Sequence, residues 1–287
     1  MTDNAEIPTL VLGGTGKTGR RVAGRLMERG LPVRVGSRSG SPPFDWEEHS
    51  TWAPALEGTG AVYLTYYPDL AVPGAVEATR SFAELALRSG VRRLVLLSGR
   101  GEPGAEQAEQ AVRDTGAELT ILRSTWFMQN FSEDYWLEHL VSGEVPLPAG
   151  DTPEPFVDAD DIADVAVAAL TDDRHIGQLY ELTGPRLLTF AEAVEEIAEA
   201  AGREIRYVPV SIEDYAAGAA AQGVPGEVIE LLRFLFGEVL DGRNAHLADG
   251  VQRALGREPR DFADFAREVA AGGTWNAVPM AAEESRR

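Results

Sequence analysis

The sequence predicts an α/β protein with a doubly wound parallel sheet and a small, mainly helical C-terminal lobe. Three observations indicate this fold class. Short apolar runs alternate with helical patterns through the first half of the chain, as in parallel strands connected by helices. The run at residues 94–97 is entirely apolar, which is typical of a strand buried on both faces. Beyond residue 185 helical patterns dominate, so the C-terminal part is expected to form the helical lobe.

The first half divides into strands and helices by the period of its apolar residues. Strands are expected at residues 9–12, 33–36, 61–65, 93–97 and 118–122, and helices at 17–29, 75–89 and 106–115. The segment 39–46 is rich in glycine, serine and proline and is expected to be a loop. Thr51 is a candidate cap for a short helix that ends at Leu56.

The second half begins with an aromatic and amide-rich segment at residues 124–131. Ser132 is expected to cap a helix that ends near residue 142, and residues 145–155 form a proline-rich connection. Asp158 should cap a strongly amphipathic helix. A strand at 178–183 is expected to return to the main sheet. It is followed by a helix at 190–201, a strand at 206–210, helices to residue 270 and a loose tail at 272–287.

The composition restricts the classes of function. The chain has 287 residues, 46 acidic against 26 basic side chains and a net charge of −20, so neither nucleic acid nor an anionic membrane is an expected partner. There is no cysteine, which excludes disulfides and thiolate chemistry. The polar N-terminus and the lack of a long apolar run predict a cytoplasmic protein without a signal peptide. The oligomeric state is left open.

A glycine-rich turn between the first strand and the first helix is the main functional motif. Gly13, Gly16 and Gly19 follow the apolar run at 10–12 and lead into an amphipathic run. This order is typical of a dinucleotide-binding unit, in which glycines let the backbone approach a pyrophosphate at a helix N-terminus. The Gly-Lys-Thr sequence at 16–18 could instead indicate a triphosphate-binding loop. That motif requires glycine at position 11, where this chain has Val11. A glycine turn that binds nothing is the remaining alternative.

The end of the second strand favours NADP(H). NAD-selective proteins normally place an acidic residue here to bind the ribose hydroxyls, but this chain has Ser37, Arg38 and Ser39. A guanidinium group pairs with the adenosine 2′-phosphate, which a carboxylate would repel. The alternative is that Arg38 is a solvated loop residue.

Two further strand ends should face the same cofactor, because ligands collect at the carboxyl ends of parallel strands. Thr65 and Tyr66 end the third strand and are expected beside the adenosine and pyrophosphate. Ser98 and Gly99 end the fourth strand, at the level of the nicotinamide, where Ser98 could bond to cofactor or substrate. Packing within a loop is an equally good explanation for Tyr66, and an ordinary turn is an equally good explanation for Ser98.

The sequence resembles the atypical short-chain dehydrogenase/reductase superfamily and, within it, the NmrA-like branch. The matching segments are the glycine turn 13–19, Ser37-Arg38, residues 96–98 and residues 118–123 followed by 126–131. Residues 44–46, 51–52 and 126–130 are similar, more narrowly, to the NADPH-dependent reductases of ergot-alkaloid biosynthesis, the festuclavine and agroclavine dehydrogenase type.

The resemblance implies a Rossmann core that binds NADP(H) and a substrate cleft against a C-terminal lobe. The core would comprise 1–125 with 156–184, and the substrate lobe 126–155 with 185–287. Arg38 would meet the 2′-phosphate, and Phe127 and Asn130 would face the nicotinamide and the substrate. The expected contacts of the turn with the cofactor come from Gly13, Thr15, Gly16, Lys17, Thr18 and Gly19.

The proton-relay pair of typical superfamily members is missing. Those members use a Tyr-xxx-Lys pair, and the helix that should supply it contains neither residue. Relatives in the NmrA-like branch often keep the lysine, where this chain has Ala105. Lys17, in the glycine turn, is the only lysine of the chain, and Arg113 stays protonated and cannot relay a proton. Conventional carbonyl or alcohol redox through that pair is therefore excluded.

Aromatic side chains after the fifth strand suit a flat substrate. Trp126, Phe127 and Phe131, together with Asn130, are candidates for substrate binding, through stacking or cation–π contact. Tyr135 is a candidate proton donor. Packing between the lobes is the alternative for at least half of the aromatic residues.

No metal site is expected. Carboxylates occur in a group at 158–164, but helix capping explains their position and no histidine joins them. The four histidines are scattered and lack the spacing of metal ligands.

The leading hypothesis is an NADPH-dependent reductase of a small aromatic, imine, enone or quinone-type substrate. A substrate that is already charged needs positioning beside the nicotinamide more than it needs a protein acid. The alternative is an NmrA-like protein that senses NADP(H) without turnover, which the missing Tyr/Lys pair favours. An isomerase or epimerase is a third class.

Overall fold

The structure, a computed structural model, describes residues 7–133 and 136–276. Its core is a parallel sheet in the order β2-β1-β3-β4-β5-β7. The strands are β1 (Thr9–Leu12), β2 (Val33–Gly36), β3 (Ala61–Leu64), β4 (Arg93–Gly99), β5 (Glu118–Ser124) and β7 (Leu179–Leu182). This is the doubly wound α/β fold expected from the sequence, and the strand predicted at 178–183 joins β5 as expected.

Helices cover both faces of the sheet. They are α1 (Lys17–Glu28), α2 (Trp52–Leu56), α3 (Ala75–Arg88), α4 (Pro103–Arg113) and α6 (Ala159–Thr171). Alternate residues along a strand point to opposite faces. Leu10 and Leu12 accordingly lie in one hydrophobic cluster, while Val11 lies in another, with residues of α1 and α6. Asp158 caps α6, since its carboxylate accepts the backbone N–H of Asp160 at 2.8 Å.

The remaining elements form a second, mainly helical region. They are α5 (Trp136–Ser142), β6 (Glu144–Leu147), α7 (Phe190–Ala201), β8 (Arg206–Pro209), α8 (Ile212–Ala221), α9 (Gly226–Phe234), α10 (Gly250–Leu255) and α11 (Phe262–Ala271). A single π turn, Leu235–Val239, continues α9. A third cluster, rich in aromatic residues, packs these elements together around Phe131, Phe156 and Phe190, except for α10, which packs against β7 and α6 of the sheet core.

Three expectations require correction. The predicted connection at 145–155 contains most of strand β6, which pairs in parallel with β8. Ser132 does not begin a helix within the described residues; it follows the 3₁₀ turn Met128–Phe131, and α5 is described from Trp136. The predicted tail includes Trp275, which is 1% exposed and donates its indole N–H to the Phe131 carbonyl at 2.8 Å. Packing against the aromatic cluster therefore fixes the chain at least as far as Trp275.

Candidate active site

The glycine turn is a tight loop between β1 and α1. The backbone N–H of Gly16 donates to the Gly13 carbonyl at 2.8 Å, and Gly13 has a φ of 60°, which favours glycine. At Gly19 a side chain would have no room, because a Cβ atom would lie 2.2 Å from the Gly13 carbonyl oxygen. The N–H of Gly14 donates to the Gly36 carbonyl at 3.4 Å, which holds the loop beside the end of β2.

The N-terminus of α1 is open to an anion. Gly16 is the N-cap, no side chain caps the helix, and its first turn contains no acidic residue. The first N–H groups of a helix lack backbone partners, and the helix dipole favours negative charge there. Gly13, Thr15 and Gly16 are exposed on this loop, whereas Thr18 and Gly19 are buried beneath it. The geometry is that of a phosphate-binding helix terminus.

Ser37 and Arg38 directly follow β2, next to the glycine loop. Ser37 is half-buried, and its hydroxyl oxygen lies 3.4 Å from that of Ser39. Arg38 is exposed and, among residues 7–133 and 136–276, makes no ion pair. Its guanidinium group is therefore not neutralised by a described carboxylate, as pairing with a phosphate requires.

A cavity of about 390 Å³ opens at the carboxyl ends of β3, β4 and β5. The structure brings eight of the sequence-predicted site residues to it: Lys17, Thr65, Tyr66, Ser98, Gly99, Trp126, Phe127 and Asn130. The second region closes the opposite side with apolar residues of α9 and the π turn, namely Val228, Leu231, Leu232, Leu235 and Val239. The cavity thus has a polar floor at the sheet and an apolar wall.

Aromatic residues of the 39–52 segment fix one edge of this cavity. Trp46 donates its indole N–H to the Thr65 carbonyl at 3.1 Å, and its ring centroid lies 4.9 Å from that of Tyr66. Trp46 in turn packs edge-on against Phe44 and Trp52. Thr65 is held further by a hydrogen bond from its hydroxyl to the Leu12 carbonyl at 3.2 Å. The end of β3 is therefore rigidly placed beside the glycine loop.

Ser98 lies in a buried network under the cavity. Its hydroxyl donates to the Glu109 carboxylate at 2.6 Å, and Arg123 binds the same carboxylate at 2.7 and 2.8 Å. Hydrogen bonding to Glu109 raises the pKa of Arg123, so the guanidinium group stays protonated. Because the Ser98 proton is directed to Glu109, the hydroxyl can accept a hydrogen bond from a ligand but is not placed to donate one.

Lys17 connects the glycine loop to the segment 126–133. Its ammonium group donates to the Asn130 side-chain oxygen at 3.0 Å. One turn further along α1, Arg20 and Arg21 bind Glu133, the latter at 2.6 Å. Burial favours the neutral form of Glu133, but the bonds to both arginines outweigh it and lower the pKa of this carboxyl. These contacts set the position of the segment 126–133 relative to the helix N-terminus.

The aromatic candidates divide between cavity and core. Trp126 and Phe127 line the cavity, and Trp126 stacks on Trp136 with the ring centroids 5.7 Å apart. Phe131, expected to bind substrate, is fully buried in the aromatic cluster and does not reach the cavity. The 3₁₀ turn directs it inward, so its contribution is to packing. Tyr135 lies outside the described residues.

Sequence reasoning missed several residues that line the cavity. The most distinctive are two carboxylates, Asp69 after β3 and Glu102 after β4, and the guanidinium of Arg100. Burial and the neighbouring Asp69 raise the pKa of Glu102 to about 10, and burial also raises that of Asp69. Their position soon after strand ends was available from the sequence, but their mutual proximity was not.

The acidic group at 158–164 is bound by arginines. Arg25 bonds to Asp160 and Asp164 at 2.6 Å, and Arg257 bonds to Asp161 and Asp164 at 2.7 and 2.6 Å. In the described part of the chain, no three His, Cys, Asp or Glu residues form a group that could hold a metal ion. Within the same part, no helix has the length and apolar character needed to cross a membrane.

Comparison with known proteins agrees with this geometry. The NmrA-like family matches residues 106–265, more than half of the chain. A Bacillus subtilis (strain 168) protein named uncharacterized oxidoreductase YesF is 34% identical, covering 92% of this chain and 96% of its own length. Agroclavine dehydrogenase of Claviceps fusiformis is 34% identical, with coverages of 89% and 95%. The structure of the Escherichia coli NADPH-dependent quinone oxidoreductase QOR2 with NADPH aligns with a TM-score of 0.75 at 20% identity, covering 91% of this chain and 99% of that one.

The doubly wound sheet, the open helix terminus and the adjoining cavity, together with relatives named as oxidoreductases and dehydrogenases, identify an NAD(P)-dependent oxidoreductase with a Rossmann-type fold. Within that class, the chain belongs to the NmrA-like family. Its similarity to agroclavine dehydrogenase extends over nearly the whole of both chains.

Proposed function

We propose that this protein is an NADPH-dependent reductase that transfers hydride to a small, flat imine, enone or quinone-type substrate without a Tyr/Lys pair. The observation that carries the proposal is the cavity itself. It begins beside the glycine loop and lies over the ends of β3–β5. The residues of 126–130 and the apolar side chains of α9 close it. A nicotinamide bound from the glycine loop would reach this cavity with its reactive face towards the substrate.

The preference for NADPH rests on Arg38. Its exposed guanidinium follows β2, where an NAD-selective protein would carry a carboxylate. Two serines flank it and supply hydroxyl groups for the same phosphate. The first turn of α1 would hold the pyrophosphate, and Lys17 would lie between that phosphate group and Asn130.

The substrate side of the cavity is formed by segments 126–155 and 185–287, which we propose as the substrate lobe. Trp126 and Phe127 supply flat surfaces, and Leu231, Leu232 and Leu235 supply apolar contacts. Aromatic faces also attract a cation, and the net charge of −20 favours the approach of one.

The proposed chemistry uses no proton relay from helix α4. No tyrosine or lysine occurs between Pro103 and Arg113, and Ala105 is fully buried. Positioning of an electrophilic carbon next to the nicotinamide would supply most of the acceleration, because an oriented pair of reactants avoids the entropic cost of encounter. Ser98 and Asn130 would orient the nicotinamide amide and the substrate through hydrogen bonds.

The test is NADPH consumption by the purified protein with panels of iminium, enone and quinone compounds. We expect turnover with at least one of these classes and a marked preference for NADPH over NADH. Tight NADPH binding without consumption in any panel would refute the reductase and support a sensor. Conversion of substrate with no net NADPH oxidation would refute it in favour of an isomerase.

A further inference from the structure

We propose that Asp69 and Glu102 form a carboxyl pair that shares one proton at the cavity and delivers it to the substrate during reduction. The pair would replace the missing tyrosine as the source of the proton for substrates that need one. This inference rests on the proposed reductase function.

The carboxyl group of Glu102 lies at the cavity and does not cap its own helix. It is the N-cap residue of α4, yet its side chain makes no capping hydrogen bond. It is 6% exposed and lines the cavity, and its Oε2 atom is buried with no hydrogen-bond partner among the described residues. The carboxyl lies directly on the backbone of Gly99, where a Cβ atom would be 2.1 Å from Oε1. Glycine at 99 therefore leaves the space that this carboxyl occupies at the end of β4.

Asp69 reaches the same point from the loop after β3. Its Oδ1 atom accepts the backbone N–H of Ala71 at 2.7 Å, and its carboxyl lines the same cavity as that of Glu102, near enough for the charge of Asp69 to raise the pKa of Glu102. The loop is held against α4, because a Cβ atom at Gly104 would lie 2.9 Å from the Ala71 carbonyl oxygen. Two buried carboxyl groups so close together cannot both be ionised without strong repulsion, so one proton is shared between them.

The charges that face the pair do not neutralise it. Glu109 adds negative charge from α4, while Arg123 and Ser98 are bonded to Glu109. Arg100 directs its guanidinium to Glu181 at 3.2 Å and to the carbonyls of Asn244 and His246. The other titratable groups nearby are Lys17, Tyr66 and Tyr67 on the cavity wall, Glu106 on Arg123, and Arg243 on Asp241. Among residues 7–133 and 136–276, no ion pair joins a cation to Asp69 or Glu102, and burial together with the charge of Asp69 raises the pKa of Glu102 to about 10.

Reduction of an enone or a quinone takes up one hydride and one proton. Hydride from the reduced nicotinamide forms the new C–H bond, and the π electrons of the substrate move to its oxygen or α-carbon. That atom takes the proton held between Asp69 and Glu102. NADP⁺ is the oxidised product, and the pair regains a proton from water. An iminium ion needs no proton, since hydride addition already gives a neutral amine.

This difference between substrate classes provides the test. In Glu102→Gln and Asp69→Asn, we expect kcat for an enone or quinone to fall by about 100-fold, within the usual range for a general acid. Reduction of an N-alkyl iminium ion should change less than about threefold, and so should the affinity for NADPH. Asp114→Asn, an exposed carboxylate at the end of the same helix, is the matched control and should leave both reactions unchanged.

A second readout does not depend on turnover. At about pH 8, the infrared spectra of the wild type and of Asp114→Asn should both contain a protonated-carboxyl band. This band should be absent from the spectrum of Glu102→Gln. Absence of this difference would refute the shared proton. Equal losses of kcat with the enone and with the iminium ion would refute proton donation and would mean that the carboxyl pair has only a structural role. The band could also be retained in a protein that does not oxidise NADPH with any of the tested substrates. That outcome would refute the proposed function and the catalytic role of the pair, but not the sharing of a proton between the two carboxyl groups.

Discussion

Glu154 contributes to the dependence of the protein's stability on pH, and replacing it by glutamine should remove that contribution. This carboxyl is fully buried. One oxygen accepts the Thr125 hydroxyl at 2.8 Å, and the other has no hydrogen-bond partner among the described residues. Burial raises the pKa of Glu154 from 4.5 to about 7, although Thr125 and the charge of Arg100 act in the opposite direction.

The magnitude follows from the linkage between proton binding and folding. A pKa that is higher in the folded state means that the folded protein binds the proton more tightly, so stability is greatest below the unfolded pKa and falls as pH rises towards 7. Each tenfold difference in proton affinity corresponds to about 1.4 kcal/mol, and Glu154 therefore contributes a loss of about 3 kcal/mol between acidic and neutral pH. Glutamine keeps the shape and does not titrate.

The assay is urea unfolding of the wild type and Glu154→Gln at about pH 5 and about pH 8. The free energy of unfolding of the variant relative to the wild type should increase by more than about 2 kcal/mol between the two conditions. Glu57→Gln, at an exposed position, should show no such increase. A difference between Glu154→Gln and the wild type that stays constant with pH would refute the reasoning.

Three further predictions concern Arg38, the glycine loop and the aromatic cluster. Arg38→Ala should weaken NADPH binding by about 10- to 100-fold in a fluorescence titration and leave NADH nearly unaffected, because a charged hydrogen bond contributes about 1.5–3 kcal/mol; equal losses would contradict a contact with the 2′-phosphate. Gly19→Ala should weaken NADPH binding about tenfold or more, since its Cβ would collide with the Gly13 carbonyl. Gly24→Ala, on the same helix with nothing within 4 Å of an added Cβ, is the control and should bind normally. Trp275→Ala should lower the free energy of unfolding by about 3–5 kcal/mol, as for other buried aromatic residues; a loss under about 1 kcal/mol in urea unfolding would mean that this residue does not pack as described.

The fold could be predicted where local pattern and tertiary position agree. β1 and β2 lie at their predicted residues, because buried parallel strands need apolar runs that the sequence displays directly. Strand β6 could not be recognised, since Pro146 and its neighbours have loop composition. Proline is tolerated there because the strand belongs to a two-stranded sheet with β8 alone. Its pairing depends on a partner about sixty residues away in the sequence.

The candidate site was predictable in its strand ends and less so in its side chains. The glycine turn, Thr65 and Ser98 follow from the rule that ligands gather at strand ends, and the structure brings the last two to one cavity. Phe131 and Trp126 have similar chemistry in the sequence, and only the 3₁₀ turn separates the buried ring of Phe131 from the half-buried ring of Trp126 that lines the cavity. Asp69 and Glu102 meet because β3 and β4 are neighbours, which is a property of the sheet order.

Lys17 carries the only side-chain amine of a chain that also has no thiol. Its position at the first residue of α1, hydrogen-bonded to Asn130, makes it a natural chemical reporter. Amine-selective reagents applied to the folded protein would attach a probe to no side chain outside this loop. The rate of that labelling would measure occupancy of the site directly, without mutagenesis or knowledge of the substrate.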